Sequence, residues 1–324
     1  MADRAAASAV LLTLPFLQPS HSDTPSFGEE LYGSWESLWP RRHTTKRDRK
    51  DSDLTGEGKP KFNSKKRGDN FQVHFGWTAT NQNSNNATHF HLAYKEGSAF
   101  RPIKTKADLG QKKKNVKRLP LPYLRAATKD KKTKHIIDRI VGKVAPYVEE
   151  LIRQNCPGAY AKMQGNAKKY RFPAKSIFTG GTISYMFARN TQQDVKNHKD
   201  EKDAKGTVGV SINETVGSVQ GGNLVIFLPD GETLTVPANH AVVAAFKELE
   251  HVVNAPTGGS GCRVSIILQQ NDEVVLAAER EESGEYLCIT AKEKKQMVVD
   301  GVLEMNSNEK KRYGTRKEQS GDGD

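Results

Sequence analysis

Cysteine is scarce in this chain, and the few cysteines form no motif. Cys156, Cys262 and Cys288 are odd in number and have no Cys-x-x-Cys spacing. This pattern excludes a disulfide-stapled scaffold, and it argues against a zinc finger or zinc knuckle. The sequence therefore has to fold around an ordinary apolar core.

Long apolar runs are also missing. Hydrophobic residues make up 35% of the chain, and the mean hydropathy is −0.69. The run from Ala5 to Leu17 is too short to span a bilayer, which takes roughly 20 apolar residues. It resembles a signal-peptide core, but Asp3, Pro15 and the lack of a clear small-x-small cleavage site argue against one. We expect a soluble cytoplasmic protein, located in the virion if the protein is viral.

The common catalytic motifs are absent too. The chain has no phosphate-binding G-x-x-x-x-G-K-[ST], no dinucleotide-binding G-x-G-x-x-G after a strand, no H-E-x-x-H and no G-x-S-x-G. We therefore predict a protein that is not an enzyme, with no catalytic residue and no cofactor.

Positive charge is abundant and unevenly distributed. The chain carries a net charge of +12, and more than that surplus lies before about residue 200. The segment from Lys104 to Lys134 contains twelve lysines and arginines, and its only acidic residues are Asp108 and Asp130. Such clusters repel one another unless a polyanion is bound, and counterion release then drives binding. A solvated basic arm without a partner is the alternative.

A predicted aromatic hairpin lies between the basic clusters. The segment FQVHFGWTAT from Phe71 alternates with period two, which predicts a strand, and THFHLAY predicts the returning strand. Aromatic rings on such a hairpin can stack bases, or they can form the core of a small β-domain. The predicted nucleic-acid-binding residues are Arg41, Arg42, Lys46, Arg47, Lys65, Lys66, Arg67, Phe75, Trp77, Tyr94, Lys112, Lys113, Lys114, Lys117, Arg118, Lys131 and Lys132.

Three histidines of the same hairpin raise a metal hypothesis. His89 and His91 alternate on one predicted strand, and His74 lies on the other. No carboxylate or cysteine is near them in sequence, so we predict no metal ligand.

The pattern predicts an α+β fold. Residues 1–60 form a disordered basic arm, 61–134 a basic, aromatic, β-rich nucleic-acid-binding region, and 306–324 a disordered tail. Residues 135–261 combine helices with an antiparallel β-hairpin/helix dimerisation domain, and 262–305 form a second strands-helix unit. Apolar spacing predicts helices over 135–154, with Pro146 splitting or kinking it, and over about 237–253.

A resemblance supports the dimerisation domain. The segment GNLVIFLPDGETLTVPANHAVVAAFKELEHVV, from Gly222 to Val253, resembles the end of the C-terminal dimerisation domain of coronavirus-type (nidovirus) nucleocapsid proteins. The matching residues are Thr235-Val236-Pro237 and Phe246-Lys247-Glu248-Leu249. The resemblance implies a homodimer or higher oligomer joined through an intermolecular sheet. The predicted dimerisation residues are Leu224, Ile226, Leu234, Val236, Phe246 and Leu249.

Together these patterns predict a non-enzymatic, nucleocapsid-like viral nucleoprotein that dimerises and packages single-stranded RNA, without inserting into a membrane. Two alternatives remain open. The strands-then-helix plan also looks like Pur-alpha and Whirly proteins, which would make the chain a single-stranded-DNA-binding regulator. A viral capsid protein with a basic genome-binding arm would show the same charge distribution.

Overall fold

Antiparallel β-sheet dominates the structure. The computed structural model describes residues 9–12, 29, 31, 70–79, 86–111, 116–166, 168–172, 176–188 and 194–304. The strands within these ranges are β1 (Ala9–Leu12), β2 (Asn70–Thr78), β3 (His89–Glu96), β4 (Ala99–Pro102), β5 (Val116–Pro120), β6 (Tyr123–Leu124), β7 (Gly180–Phe187), β8 (Val195–His198), β9 (Gly209–Gly217), β10 (Gln220–Gly221), β11 (Leu224–Phe227), β12 (Thr233–Val236), β13 (His240–Ala244), β14 (His251–Val253), β15 (Pro256–Thr257), β16 (Gly261–Gln269) and β17 (Cys288–Thr290).

The helices are fewer and mostly short. They are α1 (Lys106–Gln111), α2 (Ala126–Lys129), α3 (Lys131–Asn155), α4 (Pro157–Gly165), α5 (Asp272–Ser283) and α6 (Ala291–Val299), with a 3-10 turn at Lys168–Tyr170. None of the helices in the described ranges is both long and apolar enough to cross a membrane. Helix α3 is the long helix predicted over 135–154, and it continues through Pro146.

By their internal contacts, the residues form two units. The first contains residues 1–78 and 124–275, and the second contains 79–123 and 276–324. Each unit therefore draws on two separate stretches of the sequence.

A seven-stranded sheet forms the centre of the first unit. Its strand order is β1-β13-β9-β16-β7-β2-β6. One face of β16 carries Cys262, Val264, Ile266 and Leu268, which pack with buried residues of α3 in one apolar core. The opposite face carries Arg263 and Ser265, both buried. Alternation along the strand therefore gives this sheet an apolar face and a partly polar one.

A four-stranded sheet packs against the partly polar face. Its order is β12-β11-β14-β8, with antiparallel pairing throughout. Leu224 and Ile226 of this sheet share a buried cluster with Val242 and Ala244 of β13. Val242 is paired with Ser211, and the neighbouring pair on that face joins His240 to Asn213. The polar face of the large sheet therefore looks toward the small sheet.

The second unit has its own sheet and core. Strand β3 pairs with β4, β5 and β17. Buried apolar residues of this unit pack beneath the sheet: Ala87, Phe90, Leu92, Ile103, Leu109, Tyr123, Ile289 and Leu303.

The predicted α+β fold with a hairpin/helix dimerisation region is wrong. The fold is a β-rich antiparallel sandwich, and the predicted helix over 237–253 is replaced by strands β13 and β14. Strand β13 is paired on both sides, with β1 and β9, and Ala241 to Ala244 are fully buried. A strand that is buried on both faces has an unbroken run of apolar residues in its sequence. Periodicity alone cannot distinguish such a run from a segment of a buried helix. The segment predicted as a separate second unit also begins with β16, a central strand of the large sheet.

Candidate metal centre

Two potential metal ligands lie at the end of β8. His198 is the last residue of that strand, and Asp200 follows it in the next loop. The backbone N–H of Asp200 donates a hydrogen bond to the carbonyl of Phe246 at 2.9 Å. The loop is therefore tied to the segment that precedes β14.

The third ligand comes from the neighbouring strand. His251, the first residue of β14, is buried and pairs with His198 on one side and Ile226 on the other. The two imidazole centroids are 4.3 Å apart. An oxygen of the Asp200 carboxylate lies 3.8 Å from Nε2 of His198, and the other oxygen lies 3.9 Å from Nε2 of His251. The three donor atoms all lie within 4.8 Å of one another.

Backbone hydrogen bonds orient both rings. Nδ1 of His198 lies 2.8 Å from the carbonyl oxygen of Lys196, and Nδ1 of His251 lies 3.2 Å from that of Leu249. A carbonyl oxygen only accepts, so each Nδ1 carries the proton and donates. Each Nε2 then keeps its lone pair for a metal, as in many protein metal sites.

The donor set fits a divalent transition metal. Neutral imidazole suits iron, zinc, copper and nickel, and two histidines with one carboxylate are the ligand set of non-haem Fe(II) oxygenases. Three protein ligands also leave coordination positions open for exogenous molecules, as a catalytic site requires. His198, Asp200 and His251 would hold the ion.

A buried cation lies on the polar face of the large sheet. Arg263 is 3% exposed, and burial lowers the pKa of its guanidinium to about 10. Its Nη2 donates to Oδ1 of Asn213. Among the described residues, Arg263 Nε, Asn213 Nδ2 and Ser265 Oγ have no hydrogen-bond partner. Buried polar atoms are rarely left unpaired, so this cluster is suited to an anionic ligand that accepts hydrogen bonds.

The Arg263 cluster and the metal ligands face the same space between the sheets. His251 is paired with Ile226, near the end of β11. The stem of Arg263 lies against Gly222, just before β11 begins, where an added Cβ would lie 2.9 Å from Arg263 Cδ. Strand β11 therefore lies beside His251 near one end, and the stem of Arg263 lies beside the residue that precedes its other end.

The predicted nucleic-acid-binding residues are only partly described. Arg41, Arg42, Lys46, Arg47, Lys65, Lys66, Arg67, Lys112, Lys113, Lys114 and the side chain of Lys132 lie outside the described residues. Phe75 is in the core of the first unit, and half-buried Trp77 donates from Nε1 to the carbonyl of Arg171 at 3.3 Å. Lys131 is exposed in the first unit. Tyr94, Lys117 and Arg118 belong to the second unit, so the structure does not gather the described members within one unit.

The predicted dimerisation residues lie in the core of a single chain. Leu224, Ile226, Val236, Phe246 and Leu249 are buried together, and Leu234 packs against them. The prediction of a dimer built on these side chains is therefore wrong, because the small and large sheets of the same chain already cover them.

The histidines of the earlier metal hypothesis have other contacts. Nδ1 of His74 lies 2.8 Å from Thr182 Oγ1, and Nδ1 of His89 lies 2.9 Å from Thr88 Oγ1. His91 stacks on Tyr286 with ring centroids 5.4 Å apart. No predicted site included His198, Asp200 or His251, although His198-Lys199-Asp200 matches a His-x-Asp chelating pair.

Comparison with known proteins gives distant structural likenesses only. No protein-family model matches the chain, and no curated protein matches it. Solved structures similar to it include NgTET1 in complex with 5mC DNA (TM-score 0.40, 16% identity, 48% of this chain and 58% of that chain). A prolyl-4-hydroxylase from Pseudomonas putida matches with TM-score 0.28 and 16% identity over 42% of this chain and 66% of that chain. A 2OG-Fe(II) oxygenase family oxidoreductase from Burkholderia pseudomallei matches with TM-score 0.30 and 12% identity over 47% and 65%.

In each case the match spans less than two thirds of the neighbour's length. The predicted resemblance to nucleocapsid dimerisation domains is wrong, because the segment expected to form their helix folds as strands β13 and β14 within the sheets of a single chain. The prediction of an RNA-packaging viral nucleoprotein is wrong with it. The described residues also contain a set of two histidines and one aspartate that could hold a metal ion, which contradicts the prediction of a non-enzymatic protein.

Proposed function

We propose that this chain is a mononuclear non-haem Fe(II) oxygenase that uses a 2-oxo acid as co-substrate. The observation that carries the proposal is the convergence of two Nε2 atoms and one carboxylate at His198, Asp200 and His251. Bound Fe(II) would supply the redox centre at which dioxygen is reduced. The protein's own contribution is to hold that ligand set and to place the organic reactants beside it.

Electron balance calls for a co-reductant. Inserting one oxygen atom of O2 into a substrate C–H bond removes two electrons from the substrate, whereas full reduction of O2 takes four. Oxidative decarboxylation of a 2-oxo acid supplies the other two electrons. The second oxygen atom then enters the shortened carboxylic acid, and CO2 is released. The sequence contains no G-x-G-x-x-G motif for binding a nicotinamide or flavin dinucleotide, which would be another source of electrons.

The Arg263 cluster is suited to a carboxylate of that co-substrate. The guanidinium is buried, its pKa remains well above neutrality at about 10, and Asn213 holds one of its nitrogens. The described sheet residues beside it carry hydroxyl and amide groups, so a bound carboxylate would be the anion that balances the charge. Ser265 Oγ and Asn213 Nδ2 are further donors on the same face.

The test is consumption of a 2-oxo acid. The protein, purified without oxygen and loaded with Fe(II), is supplied with O2 and 2-oxoglutarate, and succinate is measured. We expect succinate to form with Fe(II). We expect none from Asp200→Ala, and Arg263→Met should raise the KM for 2-oxoglutarate at least tenfold. Arg153→Met, at an exposed arginine of α3, is the matched control and should behave as wild type.

Failure of wild-type protein to bind Fe(II) would overturn the proposal. So would metal binding without any 2-oxo acid consumption, for example by a zinc-loaded protein with hydrolase activity.

A further inference from the structure

Lys247 makes three contacts with its ammonium group. Nζ donates to the carbonyl oxygens of Glu201 at 3.0 Å and Asp203 at 2.6 Å, and lies 3.4 Å from Oδ2 of Asp272. An ammonium has three N–H donors, so these acceptors account for all of them. The side chain is 22% exposed, which is low for a lysine.

Both carbonyl contacts fall on the loop that carries Asp200. The N–H of Asp203 also donates to the carbonyl of Asp200 at 2.9 Å, and the N–H of Asp272 donates to the carbonyl of Lys202 at 2.8 Å. The short loop after β8 is therefore joined to the start of α5, with Lys247 at the junction.

The residue before Lys247 contacts both parts of the metal centre. The carbonyl of Phe246 accepts the N–H of Asp200. Its ring meets the imidazole of His251 edge to face, with centroids 5.1 Å apart and an interplanar angle of 69°. Residues 246 and 247 thus fix the position of one ligand's backbone and the packing of another ligand's ring.

Charge adds to this arrangement. Three carboxylates, those of Asp200, Asp203 and Asp272, come from the same loop and the adjoining helix start, and Asp203 is buried. Lys247 supplies the positive charge in their midst. Burial and the carboxylate of Asp200 raise the pKa of Asp203, and the charge of Lys247 opposes that rise. Without Lys247, repulsion among the ionised carboxylates would favour a loop conformation that moves them apart.

We propose that Lys247 is a positioning residue that holds the Asp200 loop in its metal-binding arrangement, so that the metal centre is formed before metal arrives. The inference rests on the proposed function, since it concerns the same three ligands. Lys247 contacts none of the donor atoms itself. Its effect on metal binding acts through the loop backbone and the neighbouring carboxylates.

The experiment titrates the metal-free protein with Co(II), following affinity by calorimetry and ligand geometry by visible absorption. Lys247→Met should weaken Co(II) binding about 10–100-fold, the usual effect of losing a residue that orients metal ligands. It should also change the Co(II) spectrum. Lys247→Arg keeps the charge and several donors, so it should restore most of the affinity. Lys205→Met removes an exposed lysine near the same loop and should leave both readouts unchanged.

Circular dichroism identifies folded variants, and Lys247→Gln carries the same expectation if Lys247→Met does not fold. A residue that only supports the fold would lower the melting temperature and leave the Co(II) spectrum of the folded protein unaltered. Wild-type affinity and spectrum in folded Lys247→Met would overturn the positioning role alone. Absence of Co(II) binding by the wild-type protein would overturn the proposed function, and this inference with it.

Discussion

At the scale of single residues, the position of Arg263 depends on the absence of a side chain at Gly222. Gly222 has φ +72°, which favours glycine, and the stem of Arg263 occupies the space where a Cβ would project. The glycine therefore allows β11 to begin directly beside the arginine. Any side chain at this position would displace the guanidinium from the face that it shares with Asn213.

Replacing Gly222 tests the Arg263 cluster independently of the three metal ligands. Gly222→Ala should raise the KM for 2-oxoglutarate at least tenfold and leave Co(II) affinity within twofold, because it moves Arg263 and not the metal ligands. Gly231→Ala is the matched control, since Gly231 has φ +86° with nothing within 4 Å of an added Cβ. Both variants should lose roughly 1 kcal/mol from backbone strain, measured by urea unfolding. Equal KM values in the two variants would contradict the role of Gly222.

At the scale of elements, some strands and helices could be predicted and others could not. The alternation of FQVHFGWT predicts β2, and Pro229-Asp230-Gly231-Glu232 predicts the turn between β11 and β12. Both patterns are local, because one face of β2 is apolar and the turn chemistry lies in four residues. Strand β13 has no local pattern, since neighbours on both sides bury it.

The metal centre could be predicted only in part, for the same reason. His198 and Asp200 are separated by a single residue, and this spacing is a weak but visible sequence pattern. His251 follows about fifty residues later and is brought to them only by the pairing of β14 with β8. In a chain with nine histidines, nothing local distinguishes this third ligand from the others.

Two neighbouring isoleucines of helix α3 test which face of the helix contributes to the stability of the first unit. Ile137 is fully buried in the core of the first unit, whereas Ile136 is only partly buried at its edge. Ile137→Ala should cost about 2–5 kcal/mol of unfolding free energy, through lost burial and the cavity left behind. Ile136→Ala, the same change one residue away, should cost less than half as much. Urea unfolding followed by circular dichroism gives both values, and equal losses would show that the helix packs differently.

At the scale of the whole molecule, the surplus positive charge that dominates the sequence does not indicate the candidate metal centre. Of the basic clusters, those at residues 41–50, 61–67 and 112–114 lie outside the described residues. The described candidates are divided between two units, each with its own core. Net charge can be calculated from the amino-acid composition alone. A metal centre of three residues cannot, because three residues change the composition very little.

Acid should affect the second unit through His91. The side chain is 4% exposed, and burial, with the charge of Arg280 second, lowers its pKa from 6.5 to about 4. The unfolded chain then binds a proton below pH 6.5 while the folded chain does not. Stability is therefore complete above pH 6.5 and falls as the pH drops toward 4, by about 3 kcal/mol in all.

Hydrogen exchange of the β3 amides between pH 7 and pH 4.5 measures this loss within the second unit, after correction for intrinsic exchange rates. His91→Gln should flatten the pH dependence. His89→Gln, at the exposed first position of the same strand, should retain it. A pH dependence that persists unchanged in His91→Gln would assign the acid sensitivity to another group.

The edge of the seven-stranded sheet has a consequence for how the protein is made. Strand β1 at Ala9–Leu12 pairs with β13 at Ala241–Ala244, so more than two hundred residues separate the partners. At roughly 5–20 residues per second, the ribosome completes β13 on the order of 10–50 seconds after β1. During that interval an apolar strand has no partner to pair with. Newly made chains are therefore a natural client for chaperones that hold extended apolar segments until synthesis is complete.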